Sequence, residues 1–183
     1  MKKLIIFNPS IEGGGVERNI KLIFKTLEKP LKKKIYFVSY DKIDKIDNSI
    51  EIIEPIIKLN IKSRVIKYLI CILSVLKIYF ENKDLVIFSF QANVYAIIIS
   101  KILRIPIIVR ANSAPHKWTN NLKILIIKTF YKMADLVIVN SFEFKKEIKS
   151  VFKVKSKVIY NLLDTKNLYL LSKQSKKFSF FEN

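Results

Sequence analysis

All three glycines of this 183-residue chain, Gly13, Gly14 and Gly15, fall in one stretch, IEGGGVERN, residues 11–19. Average usage of about 7% would scatter roughly a dozen along such a chain. Glycine lets a backbone approach a ligand without Cβ obstruction, and the N–H groups at a helix start favour an anion. A merely tight turn would be satisfied by one glycine, so the run points to ligand approach. Two phosphate-binding templates fail on it. The dinucleotide fingerprint G-x-G-x-x-G needs its third glycine at position 18, where Arg18 stands; the phosphate-loop pattern needs G-K-[ST], and GVERN supplies neither lysine nor hydroxyl. Glu17 lies where a helix dipole favours an acid, which gives it a structural reading as a helix starter.

The remaining residues with chemistry to offer sit in short polar stretches. His116, the only histidine, follows Pro115 in NSAPHKW; its ordinary pKa suits a general base, but no carboxylate is placed by sequence to orient it. Lys117 and Trp118 beside it are candidates to touch an acceptor or a membrane surface. Ser141, in NSFE, precedes a helical pattern and reads as an N-cap ahead of a ligand contact. Cys71, the one cysteine, lies in YLICILSVL and reads as a small buried hydrophobe in a reducing compartment. No Cys/His cluster or pair of carboxylates suggests a bound metal.

These residues need elements to position them. KLIIF (3–7), KIYFVSY (34–40), DLVIFSF (84–90), PIIVRA (106–111), DLVIVNS (135–141) and KVIY (157–160) read as strands, with IEIIEP (50–55) a weaker seventh. Helix-length segments lie between them at about 16–29, 61–82, 92–103, 120–133 and 142–152. Several strands are apolar almost throughout, as a parallel strand covered on both faces requires. The expected fold is a doubly wound, mostly parallel α/β sheet of six to seven strands flanked by helices. In such a sheet ligands bind beyond the carboxyl ends of the strands. That rule selects NPSIEGGG, QAN with Gln91, NSAPHKW with Asn112, and NSFE with Ser141 as one expected cleft.

Composition narrows the partners. Thirty-four Lys and Arg against 15 Asp and Glu give +19, with only four arginines, Arg18, Arg64, Arg104 and Arg110. Lysine heads suit diffuse attraction better than bidentate reading of bases, and no nucleic-acid module is recognisable, so nucleic acid is disfavoured and an anionic membrane surface is favoured. The crowding of Lys with Ile and Asn also fits a genomic bias. The longest apolar stretch, Val65–Phe80, is broken by Lys67 and Lys77 with nine residues between them, against the ~20 that span a bilayer. It reads as a core helix with a basic outer face, with an interfacial helix as the alternative. The apolar run Leu4–Phe7 is too short for a secretory signal, and the expected location is cytoplasmic, peripheral at the inner face of a membrane.

Four ordered pieces carry a family resemblance: GGVERN after KLIIFNPS, then DLVIFSFQANVYAIIISKILRIPIIVRANSAP, then FYKMADLVIVNSFEFKKEI, then KVIYNLLD. Together they resemble the amino-terminal domain of family 4 glycosyltransferases of the GT-B architecture, over about residues 2–170. The resemblance implies a Rossmann-like domain over 1–170 that receives the acceptor, with 171–183 as a tail or the start of an interdomain connection. It implies a retaining transferase acting on a polysaccharide or lipid-linked oligosaccharide. The nucleotide-sugar donor is a co-substrate, with no cofactor, and is held mainly by a second domain. That domain's glutamate pair and basic set are not among these residues, so this chain alone is expected to be inactive unless joined to a donor-binding domain or a separate donor-binding chain. Carried onto this sequence, Gly14 and Gly15 match the glycine pair that lies against donor phosphates or the transferred sugar, followed by Glu17 and Arg18. Arg110 and Asn112 in VRANS match a loop that faces the sugar and are candidate substrate contacts, against a reading as loop-stabilising hydrogen-bonders. Asn161 and Asp164 match the end of the domain, Asp164 as the cap of a short helix. The alternative class is a non-catalytic basic α/β protein bound to a membrane surface.

Overall fold

A computed structural model describes residues 2–11, 14–31, 35–41, 50–53, 61–112 and 121–174. Seven strands appear in it: β1 (Lys3–Phe7), β2 (Ile35–Val38), β3 (Ile50–Ile53), β4 (Leu85–Ser89), β5 (Ile107–Arg110), β6 (Leu136–Val139) and β7 (Lys157–Val158). Six helices alternate with them: α1 (Gly15–Leu31), α2 (Arg64–Glu81), α3 (Asn93–Leu103), α4 (Asn121–Tyr131), α5 (Phe142–Phe152) and α6 (Thr165–Gln174). The sheet order is β3-β2-β1-β4-β5-β6-β7 and every pairing is parallel. The weak seventh strand of the sequence reading is thus β3. Asp164 stands directly before α6, which runs across residue 170, and 175–183 lie outside the described residues.

The apolar runs explain this order. Ile5, Ile6 and Phe7, like Ile87 and Val109, are fully buried because both faces of the sheet are covered. On one face α2, α3, α4 and α5 pack with Cys71, Val75, Ile97, Ile127 and Phe152 into one core. On the other α1 packs Ile20 and Phe24 against Ile6, Phe37 and Phe88. The chain order reverses direction between β1 and β4, which makes their carboxyl ends the switch point where a crevice opens.

One detail agrees with the sequence reading and one differs. Cys71 is buried as expected, and burial pushes its thiol up to about 12, so it is inert. The outer face of α2, however, is mixed: Arg64 and Lys77 are exposed on it, but so are large apolar side chains. Lys67 leans across to Asp41, Nζ–Oδ1 2.7 Å, and the positions left outside include Val65, Ile66, Leu69 and Leu73.

Candidate functional site

The glycine loop enters α1 at the carboxyl end of β1, and the helix begins at Gly15. Gly14 is its N-cap, with its N–H donating to Glu17 Oε2 at 2.8 Å, the reach-back half of a capping box. Glu17 therefore starts the helix, as its position suggested. Neither Gly14 nor Gly15 occupies a left-handed conformation, and among the described residues a Cβ built on Gly15 would meet nothing within 4 Å, while one built on Gly14 would meet Glu17 Oε2 at 3.4 Å. The fold itself thus makes little demand for glycine here. Open space at Gly15, and at Gly14 a single oxygen at the end of a flexible side chain, fit a loop kept bare for something outside the chain. Gly13 lies outside the described residues.

Hydrogen bonds seat the loops around this helix start. Asn8, fully buried, donates through Nδ2 to Ser10 O at 3.0 Å, and the Ser10 N–H donates to Gln91 Oε1 at 2.8 Å. Asp41, just past β2, accepts from the Ile11 N–H at 2.9 Å and from Ser10 Oγ at 3.2 Å while paired with Lys67. Partial burial works to raise the Asp41 carboxyl, but Lys67, the Ile11 amide and the Ser10 hydroxyl outweigh it and hold the pKa below its ordinary value. After β4, Ser89 Oγ donates to Asn93 Oδ1 at 2.7 Å. Asn93 Nδ2 in turn donates to Arg110 O at 3.0 Å and to the Tyr131 hydroxyl at 2.8 Å. Burial pushes the Tyr131 phenol up to about 12, the Asn93 bond opposing the shift, so it stays protonated. Between Gln91 and Asn93, Ala92 takes a left-handed φ of 54°, a conformation that costs a non-glycine residue about 1 kcal/mol. The two flanking side chains, each held in its own bond, fix it there.

These loops line one cleft of about 560 Å³ that includes Gly14, Glu17, Gln91, Asn93, Asn112 and Tyr131. Asn112 is exposed and donates through Nδ2 to Phe90 O at 2.7 Å. Tyr68 of α2, Tyr95 of α3 and Lys123 of α4 complete its helical side. A second cavity, about 430 Å³, sits at the amino ends of β6 and β7 among Lys132, Lys153, Lys155 and Lys157. It is at the wrong pole of the sheet for a ligand, and lysines beside a two-residue edge strand serve to keep that edge unpaired.

Three expected members are placed elsewhere. Arg110 is not a surface contact: it is 2% exposed, on the α1 face of the sheet. Its Nη2 donates to Asn161 Oδ1 at 2.7 Å and to Ile159 O at 3.3 Å, and its buried Nε has no partner among the described residues. Asn161 Oδ1 also accepts from Asn19 Nδ2 at 3.3 Å, and Asn19 Oδ1 accepts from the Leu162 N–H at 3.1 Å. Arg110 therefore positions the segment after β7 against the second turn of α1. Burial lowers its pKa from the ordinary value without discharging it. Ser141 does not line the cleft; its Oγ accepts from the Phe144 N–H at 3.1 Å as the N-cap of α5. Arg18 is exposed and outside the cleft lining, and its backbone N–H donates to Gly14 O at 3.4 Å. His116, Lys117 and Trp118 lie outside the described residues. The sequence reading missed Asp41, Asn93 and Tyr131. The carboxyl-end rule, applied to the second strand, would have found Asp41. Among the described residues, no three His, Cys, Asp or Glu side chains come together as a metal would require.

The geometry now meets known proteins. The sequence pattern of Glycosyltransferase Family 4 matches residues 13–167. No curated protein matches the chain. Among solved structures, HepE (Alr3699) of Anabaena in complex with UDP and glucose superposes with a TM-score of 0.65 at 17% identity, covering 95% of this chain and 50% of that one. The lipopolysaccharide outer core galactosyltransferase WaaB gives 0.62 at 19% identity, covering 89% and 46%. MurG of Acinetobacter baumannii gives 0.55 at 14%, covering 88% and 46%. These likenesses establish the fold, and the chain spans about half the length of each of those structures.

Proposed function

Because this chain belongs to glycosyltransferase family 4, we propose that it forms the acceptor-side half of a retaining transferase. The enzyme moves a sugar from a nucleotide-sugar to a polysaccharide or lipid-linked oligosaccharide, working at the cytoplasmic face of an anionic membrane. The observation that carries this reading is the cleft that joins Gly14, Val16 and Glu17 at the start of α1 to Gln91 and Asn112 at the carboxyl ends of neighbouring strands. The solved structures with UDP and glucose, and the galactosyltransferase, support the substrate class.

Glycosyl transfer needs a departing nucleoside diphosphate stabilised and positive character at the sugar carbon tolerated. The first-turn amides of Gly15 and Val16 have no carbonyl one turn back within the helix and meet the first need in part. The amide of Gly14 is already taken by Glu17, so an incoming phosphate competes with that carboxylate or sits beside it. Asn112 and Gln91 supply neutral donors suited to sugar hydroxyls, and Arg110 holds the loops without touching substrate. The rest of the charge stabilisation comes from a donor-binding half, in the same chain or a separate one. A non-catalytic surface-associated protein would account for the charge but leaves the bare, converging cleft without a purpose.

The test is a transfer assay across nucleotide-sugars. Residues 1–183 alone are expected to give no product, and the same residues joined to a donor-binding half are expected to give product with the donor's anomeric configuration retained. Turnover by residues 1–183 alone would overturn the division of labour; an inverted product would overturn the retaining assignment.

A further inference from the structure

The cleft is balanced in charge although the chain is not. The sequence carries 34 Lys and Arg against 15 Asp and Glu, yet among the described residues that line the cleft the charged ones are Glu17 and Lys123, one of each sign. Its two ends differ in kind. At the loop end, hydrogen bonds decide what the two amide side chains have left to offer. Gln91 Oε1 accepts from the Ser10 N–H at 2.8 Å, so Gln91 offers the donor Nε2. Asn112 Nδ2 donates to Phe90 O at 2.7 Å, so Asn112 adds the acceptor Oδ1. A donor and an acceptor on one cleft suit hydroxyls, which both donate and accept. A carboxylate or phosphate only accepts, and would meet the Asn112 oxygen as repulsion. At the helical end, Tyr68 of α2 and Tyr95 of α3 pack edge to face, with ring centroids 5.4 Å apart and planes at 62°. Both rings are half-buried, and both line the cleft beside Val94 and Ile127. The electron-rich face of an aromatic ring takes the positively polarised C–H bonds of a pyranose as it takes the edge of another ring. Because each ring holds the other in place, little order remains to be lost when a ligand arrives.

We propose that the acceptor group seated in this cleft is a neutral pyranose, with its C–H face against Tyr68 and Tyr95 and its hydroxyls toward Gln91 and Asn112, and that acidic sugars are refused there. A net charge of +19 draws anions to the chain as a whole, so discrimination against them has to be local. A carboxylate taken out of water in the cleft would have Lys123 to offset it and Glu17 to oppose it. The donor's diphosphate is a separate demand, met at the first-turn amides of α1 and by the donor-binding half. The proposal rests on this chain being the acceptor side, and it narrows the acceptor to one whose neutral sugar end, not a phosphate or an acid, enters the cleft.

Ligand-observed NMR titrations of residues 1–183 test it, with the methyl glycosides of glucose, galactose and mannose, each set against the methyl glycoside of its own uronic acid. At least one neutral glycoside is expected to bind, and its uronic counterpart to bind at least about tenfold more weakly. Tyr68→Leu/Tyr95→Leu keeps apolar bulk but removes both rings, and should weaken the neutral glycoside about tenfold with the melting temperature kept. Tyr68→Phe/Tyr95→Phe keeps the ring faces and should bind within about twofold of the parent. A uronic glycoside that binds as tightly as its neutral partner overturns the neutral acceptor while the acceptor-side reading stands. A Leu variant that binds like the parent, or a Phe variant that loses as much as the Leu variant, overturns the stacking platform and again leaves that reading intact. A chain that binds UDP but none of the six glycosides overturns the acceptor-side reading and this inference with it.

Discussion

The loop that opens α1 and the polar knot under its second turn are one helical turn apart, Gly15 to Asn19, yet they are built on opposite terms. At the loop, a Cβ added at Gly15 would meet none of the described residues within 4 Å. At the knot, Arg110 is 2% exposed and its guanidinium is held between Asn161 and Ile159. Free space bounded by converging amides is a poor way to stabilise a fold and a good way to admit a ligand. A buried, hydrogen-bonded cation is the reverse. Substitutions at the two places should therefore separate into stability losses and activity losses.

The largest stability loss is expected at the knot. Arg110→Ala removes a buried side chain and leaves Asn161 Oδ1 and Ile159 O short of a donor, at a cost of about 3 kcal/mol. Arg110→Met keeps most of the volume and removes a buried charge whose Nε is unpartnered, so it should restore much of that loss. Denaturant melts of both variants check the pair. If Met is as damaging as Ala, the hydrogen bonds and not the volume hold the knot; if neither loses stability, the contrast with the glycine loop collapses.

Asp41 ranks next, because it anchors the same loop from the other side. Its folded pKa is depressed, so the stability it contributes is present above its ordinary value of 3.8 and is lost as pH falls through the lower folded value. Asp41→Asn keeps an acceptor for the Ile11 amide but gives up the Lys67 pair, and at neutral pH should cost about 1 kcal/mol. At a pH below the folded value the parent is protonated too, and the difference should vanish. A gap between parent and variant that does not close on acidification would show that the Lys67 pair is not its source. Ser141→Ala, which removes the α5 cap, should cost about 1 kcal/mol with transfer by the completed enzyme unchanged. Lost transfer would return Ser141 to the cleft.

How far the sequence led follows from the reach of each interaction. Parallel pairing was legible because it needs strands apolar on both sides, a local property of LVIFS or IIVR. The glycine loop was legible because it is one stretch. For Arg110 the loop-stabilising reading holds over the substrate-contact one, and the sequence could not choose between them because its partners lie 51 residues on, at Asn161, and beyond that at Asn19; no spacing rule brings those three together. The outer face of α2 is basic only in part because Lys67, counted as part of that surface, bends to Asp41 while Arg64 and Lys77 stay exposed. Once that lysine is spoken for, the apolar residues beside it are what the solvent meets.

The smallest stability effect carries the sharpest test. Gly15 is the first residue of α1, outside any left-handed conformation, and valine there would find open space. The remaining costs are valine's restricted χ1 and its modest helix propensity, offset by the entropy glycine loses on folding, and the net should stay within about 1 kcal/mol. Gly15 does not itself line the cleft but stands between Gly14 and Val16, which do, so the same two methyl groups would stand at its border beside the first-turn amides, where a phosphate or sugar must come within hydrogen-bond reach. Gly15→Val in an enzyme completed by a donor-binding half should therefore keep its melting temperature and lose transfer by about a hundredfold or more, the scale of removing one stabilising donor at the reacting charge. A variant that melts far lower, with activity falling only in proportion to the folded fraction, would mean the glycine serves the turn after all. A variant that keeps both its stability and its rate would mean that nothing approaches the helix start, and the open space around Gly14 and Gly15 would then be only surface.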